Sequence, residues 1–225
     1  KFQFKKAENL EIVRQFAGSQ YVKSSPEGIY TEILRYLRDG RKVLFVGLPC
    51  QAAAVKNFTK SHKNLYLIDL VCHGTPSPVL LDMFLHDQGI SLNGIRVWDA
   101  YTTAFCDAVF YTESCYSCRY AQIHRVSDLT LGDSWGSQLP MPQQKLGISL
   151  ILCQNKKGKN LLLSAEIHLE EVDLEKAVSC NHQLQHPSFR HRKRDRFFDE
   201  VEQTRNVQRS VWKCFPIKFL KKSIK

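Results

Sequence analysis

The 225-residue sequence has no run of about 18 apolar residues, the length a membrane-spanning helix needs. Its opening stretch, KFQFKKAENLEIV, lacks the apolar core and small-residue cleavage site of a secretory signal, so the expected location is the cytoplasm. The chain also opens at Lys1 without an initiator Met, as a piece of something longer would. No G-x-G-x-x-G, P-loop or G-x-S-x-G occurs. These absences remove the standard dinucleotide fingerprint, the NTPase cradle and the α/β-hydrolase nucleophile elbow. There is no internal repeat and no low-complexity stretch. No recognisable nucleic-acid-binding motif accompanies the basic residues, so a groove-reading role is not expected.

Cysteine and positive charge are what the chain has in quantity. Thirty-two Lys plus Arg stand against 22 Asp plus Glu, a formal net charge of +10. That balance favours acidic partners. Much of it sits late, in RHRKRDR (190–196) and KFLKKSIK (218–225). Such runs are ordinarily solvated surface, and here they are expected to dock an acidic redox partner. A basic nucleic-acid module using Phe197, Phe198 and Trp212 is the weaker alternative. Eight cysteines is a high count without secretory signs, and in a reducing compartment it points to metal binding or catalysis more than to a disulfide framework.

Hydrophobic spacing gives the expected fold. SPEGIYTEILRYLRDG (25–40) reads as a helix, with Ser25 as N-cap, Pro26 in the first turn and Gly40 as its stop. KVLFVG (42–47) reads as a strand buried on both faces, followed by a short helix in QAAAVKNF. LYLIDLVC (65–72) is a second apolar strand, and Ser77-Pro78 opens the next helix. IRVWD (95–99), SDLTLGD (127–133) and GISLILCQN (147–155) are further candidate strands, and KKGKNLLLSAE a helix. After about residue 180 the periodicity weakens and no element is assigned. The class is α/β: a mixed, largely parallel sheet with crossover helices and cysteine-bearing loops at the strand C-terminal edge.

Cys50 and Cys72 each fall at the end of a parallel strand, the edge where ligands gather in open sheets. Cys115 and Cys118, in ESCYSCRYA, supply a close pair. Four thiolates hold either zinc or a 4Fe-4S cluster. One close pair and two singles favour the cluster, while a structural-zinc interaction module is the alternative. Cys153 reads as core, and Cys106, Cys180 and Cys214 as bystanders. His73, Gly74, Gly132, Asp133, Trp135 and Gly136, in CHGTP and GDSWG, are candidate contacts for a flat cofactor, the glycines giving the backbone close approach; on the residues alone GDSWG reads equally as an ordinary turn with Trp135 packed in the core, and His73 as a surface or hydrogen-bonding residue.

The stretches VLFVGLPCQAAAVKNF, LYLIDLVCHGTPSP and SCYSCRYAQIHRVSDLTLGDSWG, with the leading FAGSQYVKS, resemble the coenzyme F420 hydrogenase/dehydrogenase beta-subunit family. The resemblance implies an iron–sulfur flavoprotein oxidoreductase that carries a 4Fe-4S cluster and FAD or FMN. It would pass electrons between them and a hydride carrier such as coenzyme F420. It also implies a redox partner protein or ferredoxin-like module. Cys50, Cys72, Cys115 and Cys118 would be the cluster ligands. The catalytic domain would span 1–180, with a basic extension over 181–225.

Overall fold

A computed structural model describes residues 2–16, 22–96 and 99–216. The basic run 218–225, most of FAGSQY, and Val97 and Trp98 lie outside the described residues. The chain divides into two units, one built from Lys1–Ser25, His73–Ser117 and Ser188–Lys225, the other from Pro26–Cys72 and Cys118–Pro187.

The second unit carries the sheet. Strands β1 (Val43–Gly47), β2 (Leu65–Leu70), β3 (Leu129–Asp133) and β4 (Ser149–Cys153) lie in that order. β1, β2 and β3 run parallel and β4 is antiparallel to β3. The helix Pro49–Phe58 is the crossover between β1 and β2 and packs on both, burying Ala52, Ala53 and Val55. Pro49 at its first position needs no N–H there, so the helix begins at once after β1. Phe45, Leu65 and Leu67 are buried on the sheet face they share.

Two expectations change here. β1 is not buried on both faces: Leu44 is 53% and Val46 48% exposed, on the same partly open face as Tyr66, Ile68 and Leu70 of β2. The helix expected over 25–40 runs from Ile29 to Arg38, behind Gly28 in the left-handed region at φ 77°. Ser25 lies outside it: its backbone bridges to Gln3 and its N–H donates to the Phe2 carbonyl at 2.7 Å.

The first unit is helical. Pro78–Gln88 opens as expected on Ser77, whose hydroxyl accepts from Val79 N. The expected strand 95–99 is absent among the described residues. Ile95 ends the 3₁₀ turn Leu92–Gly94, and Asp99 is the N-cap of helix Ala100–Cys106. The polar region after residue 180 forms helices Arg194–Thr204 and Val207–Cys214. Phe197 and Val201 on one, and Val207, Val211 and Cys214 on the other, recur at helical spacing and are buried. Their neighbours are so charged that the stripe is diluted in sequence. Phe84, Tyr101, Phe110 and Phe197 form a row with ring centroids 5.4, 5.1 and 5.5 Å apart, the centre of this core. Burial pushes the Tyr101 phenol well above its ordinary pKa.

One packing contact gives a direct test. Gly158 lies inside the helix Lys156–Leu163, where alanine would ordinarily gain about 1 kcal/mol. A Cβ there would collide with the Asp128 carbonyl and stand 3.2 Å from Leu129. Backbone cannot yield as a side-chain tip does, so overpacking, about 1–3 kcal/mol, outweighs the propensity gain. Gly158→Ala should lower the thermal midpoint in a melt followed by circular dichroism. A raised midpoint would refute the contact.

Candidate functional site

Three of the four candidate ligands fall in the sheet unit. Cys50 lies in the first turn of the helix Pro49–Phe58, not on the loop the sequence led us to expect. Gln51 caps that turn by accepting the Leu48 N–H at 3.1 Å. The Cys50 sulfur acts electrostatically on Tyr30, whose phenol is raised first by burial and then by that charge. Cys72 follows β2 and is the last residue before the chain leaves this unit. Cys118 is the first on its return. All three are half-buried.

Arg125 is within electrostatic reach of Cys72 and Cys118. Its Nε donates to the Gln122 carbonyl at 2.6 Å and its Nη2 to the Gln183 carbonyl at 3.4 Å. Its Nη1 is buried without a partner among the described residues. Burial lowers the guanidinium pKa, and Asp69, Cys72 and Cys118 act the other way by their charge. Asp69 is 0% exposed. Its Oδ2 accepts from the Ser127 hydroxyl at 2.8 Å, and its Oδ1 has no partner among the described residues. Burial raises its pKa, opposed by hydrogen bonds from Thr130 and Ser127 and by Arg125. Neither residue was read from the sequence. A charged residue in the middle of LYLIDL was a usable signal for Asp69, but nothing local marks Arg125.

Cys115 belongs to the other unit, at the end of the 3₁₀ turn Glu113–Cys115. Its sulfur lies 3.2 Å from the Thr112 hydroxyl and 3.7 Å from the Thr75 hydroxyl. Cys153, expected in the core, is exposed at the end of β4, whereas Cys214 is fully buried. Among the described residues no group of three or more His, Cys, Asp or Glu side chains has the arrangement of a metal-ion site. What fits an iron–sulfur group is the donor type, thiols, one of them with two hydroxyls beside it.

The glycines expected to admit a flat ring make room for the protein's own side chains. A Cβ on Gly132 would stand 2.6 Å from Val71, one on Gly136 would meet the Cys180 sulfur, and one on Gly74 would enter the Tyr111 ring. Gly136 and Gly74 hold φ 75° and 146°, which other residues rarely adopt. The open groups are Asp133, exposed at the carboxyl end of β3, and Trp135, 58% exposed. Because β3 is parallel to β2, Asp133 lies at the sheet edge that Cys72 follows. In the helical unit, the His73 carbonyl accepts from the Ser188 hydroxyl at 2.7 Å. Two grooves of the sheet unit share Lys56 and Val126 and are lined by none of the four cysteines.

Residues 40–177 match the family model for the carboxy-terminal part of the coenzyme F420 hydrogenase/dehydrogenase beta subunit. No curated protein matches the chain.

Beyond the cysteines, His182 and His186 stack with centroids 5.5 Å apart. His182 lies exposed at the surface, and its pKa is lowered from 6.5 first by partial desolvation and then by the charge of His186, so the pH effect on stability is small. A depressed histidine contributes stability that is whole above the unfolded value and lost as pH falls through the folded one. Below about pH 6.5 the unfolded chain takes the proton more readily. The thermal midpoint should therefore drop between pH 7.5 and 5.5, and less so in His182→Gln. Equal slopes in the two proteins would refute the assignment.

Proposed function

The chain belongs to the coenzyme F420 hydrogenase/dehydrogenase beta-subunit family, an oxidoreductase family, and on that premise we propose that Cys50, Cys72, Cys115 and Cys118 hold one 4Fe-4S cluster through which the protein exchanges electrons with a flavin and a hydride carrier such as coenzyme F420. The observation that carries this reading is the family match over 40–177, a span that includes all four cysteines. Its support from chemistry is the buried cation beside Cys72 and Cys118. When bound, the cluster supplies one-electron chemistry, and the flavin joins it to a two-electron carrier.

The chain's own residues have definable tasks in this reading. The Thr75 and Thr112 hydroxyls donate to a Cys115 thiolate, and Arg125 offsets negative charge at Cys72 and Cys118. Hydrogen bonds and fixed charge near the sulfurs are the protein's means of setting a cluster potential. Asp133 and Trp135 are the groups open to contact a flavin, Trp135 by its ring face. A beta-subunit family implies partner subunits, and we assign the redox partner to an acidic protein. No helix among the described residues is long and apolar enough to cross a membrane. A reducing cytoplasm would keep the thiols available.

Anaerobic reconstitution with iron and sulfide, followed by absorption spectra and assays for iron, sulfide and flavin, tests the reading. The chain should turn brown and hold about four iron atoms. Alanine at each of the four cysteines should remove the colour, while Cys153→Ala should keep it. Zinc binding without visible absorption, or full iron in Cys50→Ala or Cys72→Ala, would sink it. A chain that holds its cluster but binds neither FAD nor FMN would remove the flavin and leave a cluster-only electron carrier.

A further inference from the structure

The turn that carries Cys115 is held by one residue of the basic C-terminal region. Arg194 lies in the helix Arg194–Thr204 with its side chain 9% exposed. Its Nε and Nη2 stand 3.1 and 2.9 Å from Glu113 Oε1. Its Nη1 donates to the Val109 carbonyl at 3.0 Å and to the Tyr116 hydroxyl at 3.2 Å. That hydroxyl donates in turn to the Ala108 carbonyl at 2.7 Å and accepts from the Tyr111 N–H at 3.1 Å. The guanidinium also lies over the Tyr116 and Phe198 rings, 5.2 and 4.6 Å from their centroids.

These contacts bracket Cys115 on both sides, at 109 and 113 before it and at 116 after it. A buried guanidinium has to be paired, so the pairing is directional and costly to break, unlike an exposed ion pair. The planar fork reaches three acceptors at once, which an ammonium cannot do. Residues 112 to 116 are thereby held in one shape, and that shape puts the Thr112 hydroxyl on the sulfur. Nothing in the mechanism above requires a buried arginine here.

We propose that Arg194 is a positioning residue for Cys115, clamping its turn through Glu113 and Tyr116 so that the sulfur is presented in a fixed place. The role as ligand presenter rests on the cluster reading, whereas the clamp itself does not. Two measurements separate them. In the metal-free full chain, iodoacetamide labelling of Cys115 is followed by peptide mass spectrometry, with exposed Cys153 as reference. Glu113→Ala is the main variant: it removes the counter-charge but leaves Arg194 bonded to the Val109 carbonyl and the Tyr116 hydroxyl, and a thermal melt checks that the fold is kept. Arg194→Lys is the second variant and keeps the charge but not the fork.

Both variants should label Cys115 at least threefold faster relative to Cys153, with the far-ultraviolet spectrum unchanged. Glu113→Gln, which keeps an acceptor oxygen, should fall between Glu113→Ala and the wild type. In reconstituted protein, both main variants should release iron to a chelator several-fold faster than the wild type. Unchanged Cys115 labelling overturns the clamp, whatever the iron does. Faster labelling with iron release at the wild-type rate overturns the ligand-presenting role. A wild-type chain that takes up no iron, with labelling still accelerated in the variants, sustains the clamp and sinks the cluster reading instead.

Discussion

A fully buried carboxyl group inside an otherwise apolar strand is the constraint on which the sheet unit depends. Asp69 pairs in register with Thr130 across β2 and β3, and both are 0% exposed. The segment entering β3 is pinned by polar groups: Asp128 Oδ2 accepts the Leu67 N–H at 2.8 Å and Asn155 donates to its other oxygen at 3.0 Å. Gln154 reaches the Thr130 hydroxyl at 3.1 Å. Each such bond is worth only about 1 kcal/mol net. A slip of one residue, however, would leave buried groups unsatisfied at about 1–3 kcal/mol apiece. Cost of error, more than strength of bonding, fixes the register of β3 between its parallel and antiparallel neighbours.

That register has a consequence for the site. With β2 and β3 locked, the chain leaves the sheet unit at Cys72 and re-enters it at Cys118, and both cysteines sense the same arginine. The excursion between them covers residues 73–117. Parallel pairing sets Asp133, at the carboxyl end of β3, beside the end of β2 that Cys72 follows, whereas Cys118 precedes β3 and is not placed by that register. Arg125 and Asp69 share the region, each with one buried polar atom left without a partner among the described residues.

The legible part of this protein was local. Apolar runs at 43–47 and 65–70, the Ser77-Pro78 start and the β4 segment could all be read because the pattern and the element coincide. Misreadings arose where the surroundings overrode a local cue. Ser25 had the chemistry of an N-cap, but the helix starts only after the left-handed Gly28. Leu44 and Val46 had the composition of a doubly buried strand, but the face they share with Tyr66, Ile68 and Leu70 is left partly open. In IRVWD the Asp99 carboxylate accepts the Arg96 N–H just ahead of a helix, and Val97 and Trp98 lie outside the described residues. For the candidate site, cysteine spacing located the thiols, while Arg125 and Arg194 were invisible because their partners are distant in sequence.

The same contacts change what the net charge means. A total of +10 counts every Lys and Arg as though it faced a partner. In RHRKRDR, Arg194 is buried against Glu113, Arg190 is bonded to Asp195 at 2.6 Å, and Lys193 donates to the Cys214 carbonyl at 2.6 Å. Arg125 is likewise committed inside the sheet unit. The run that looked most like a solvated docking tail is therefore partly structural, and its cations are engaged in holding aromatic helices and a cysteine-bearing turn. Guanidinium suits this work because it stays charged when half-buried and bonds in a plane. Within that run Arg190 and Arg194 are offset by Asp195 and Glu113, whereas Lys193, bonded to a neutral carbonyl, keeps its full charge; the field of such charges is screened by salt within about 10 Å.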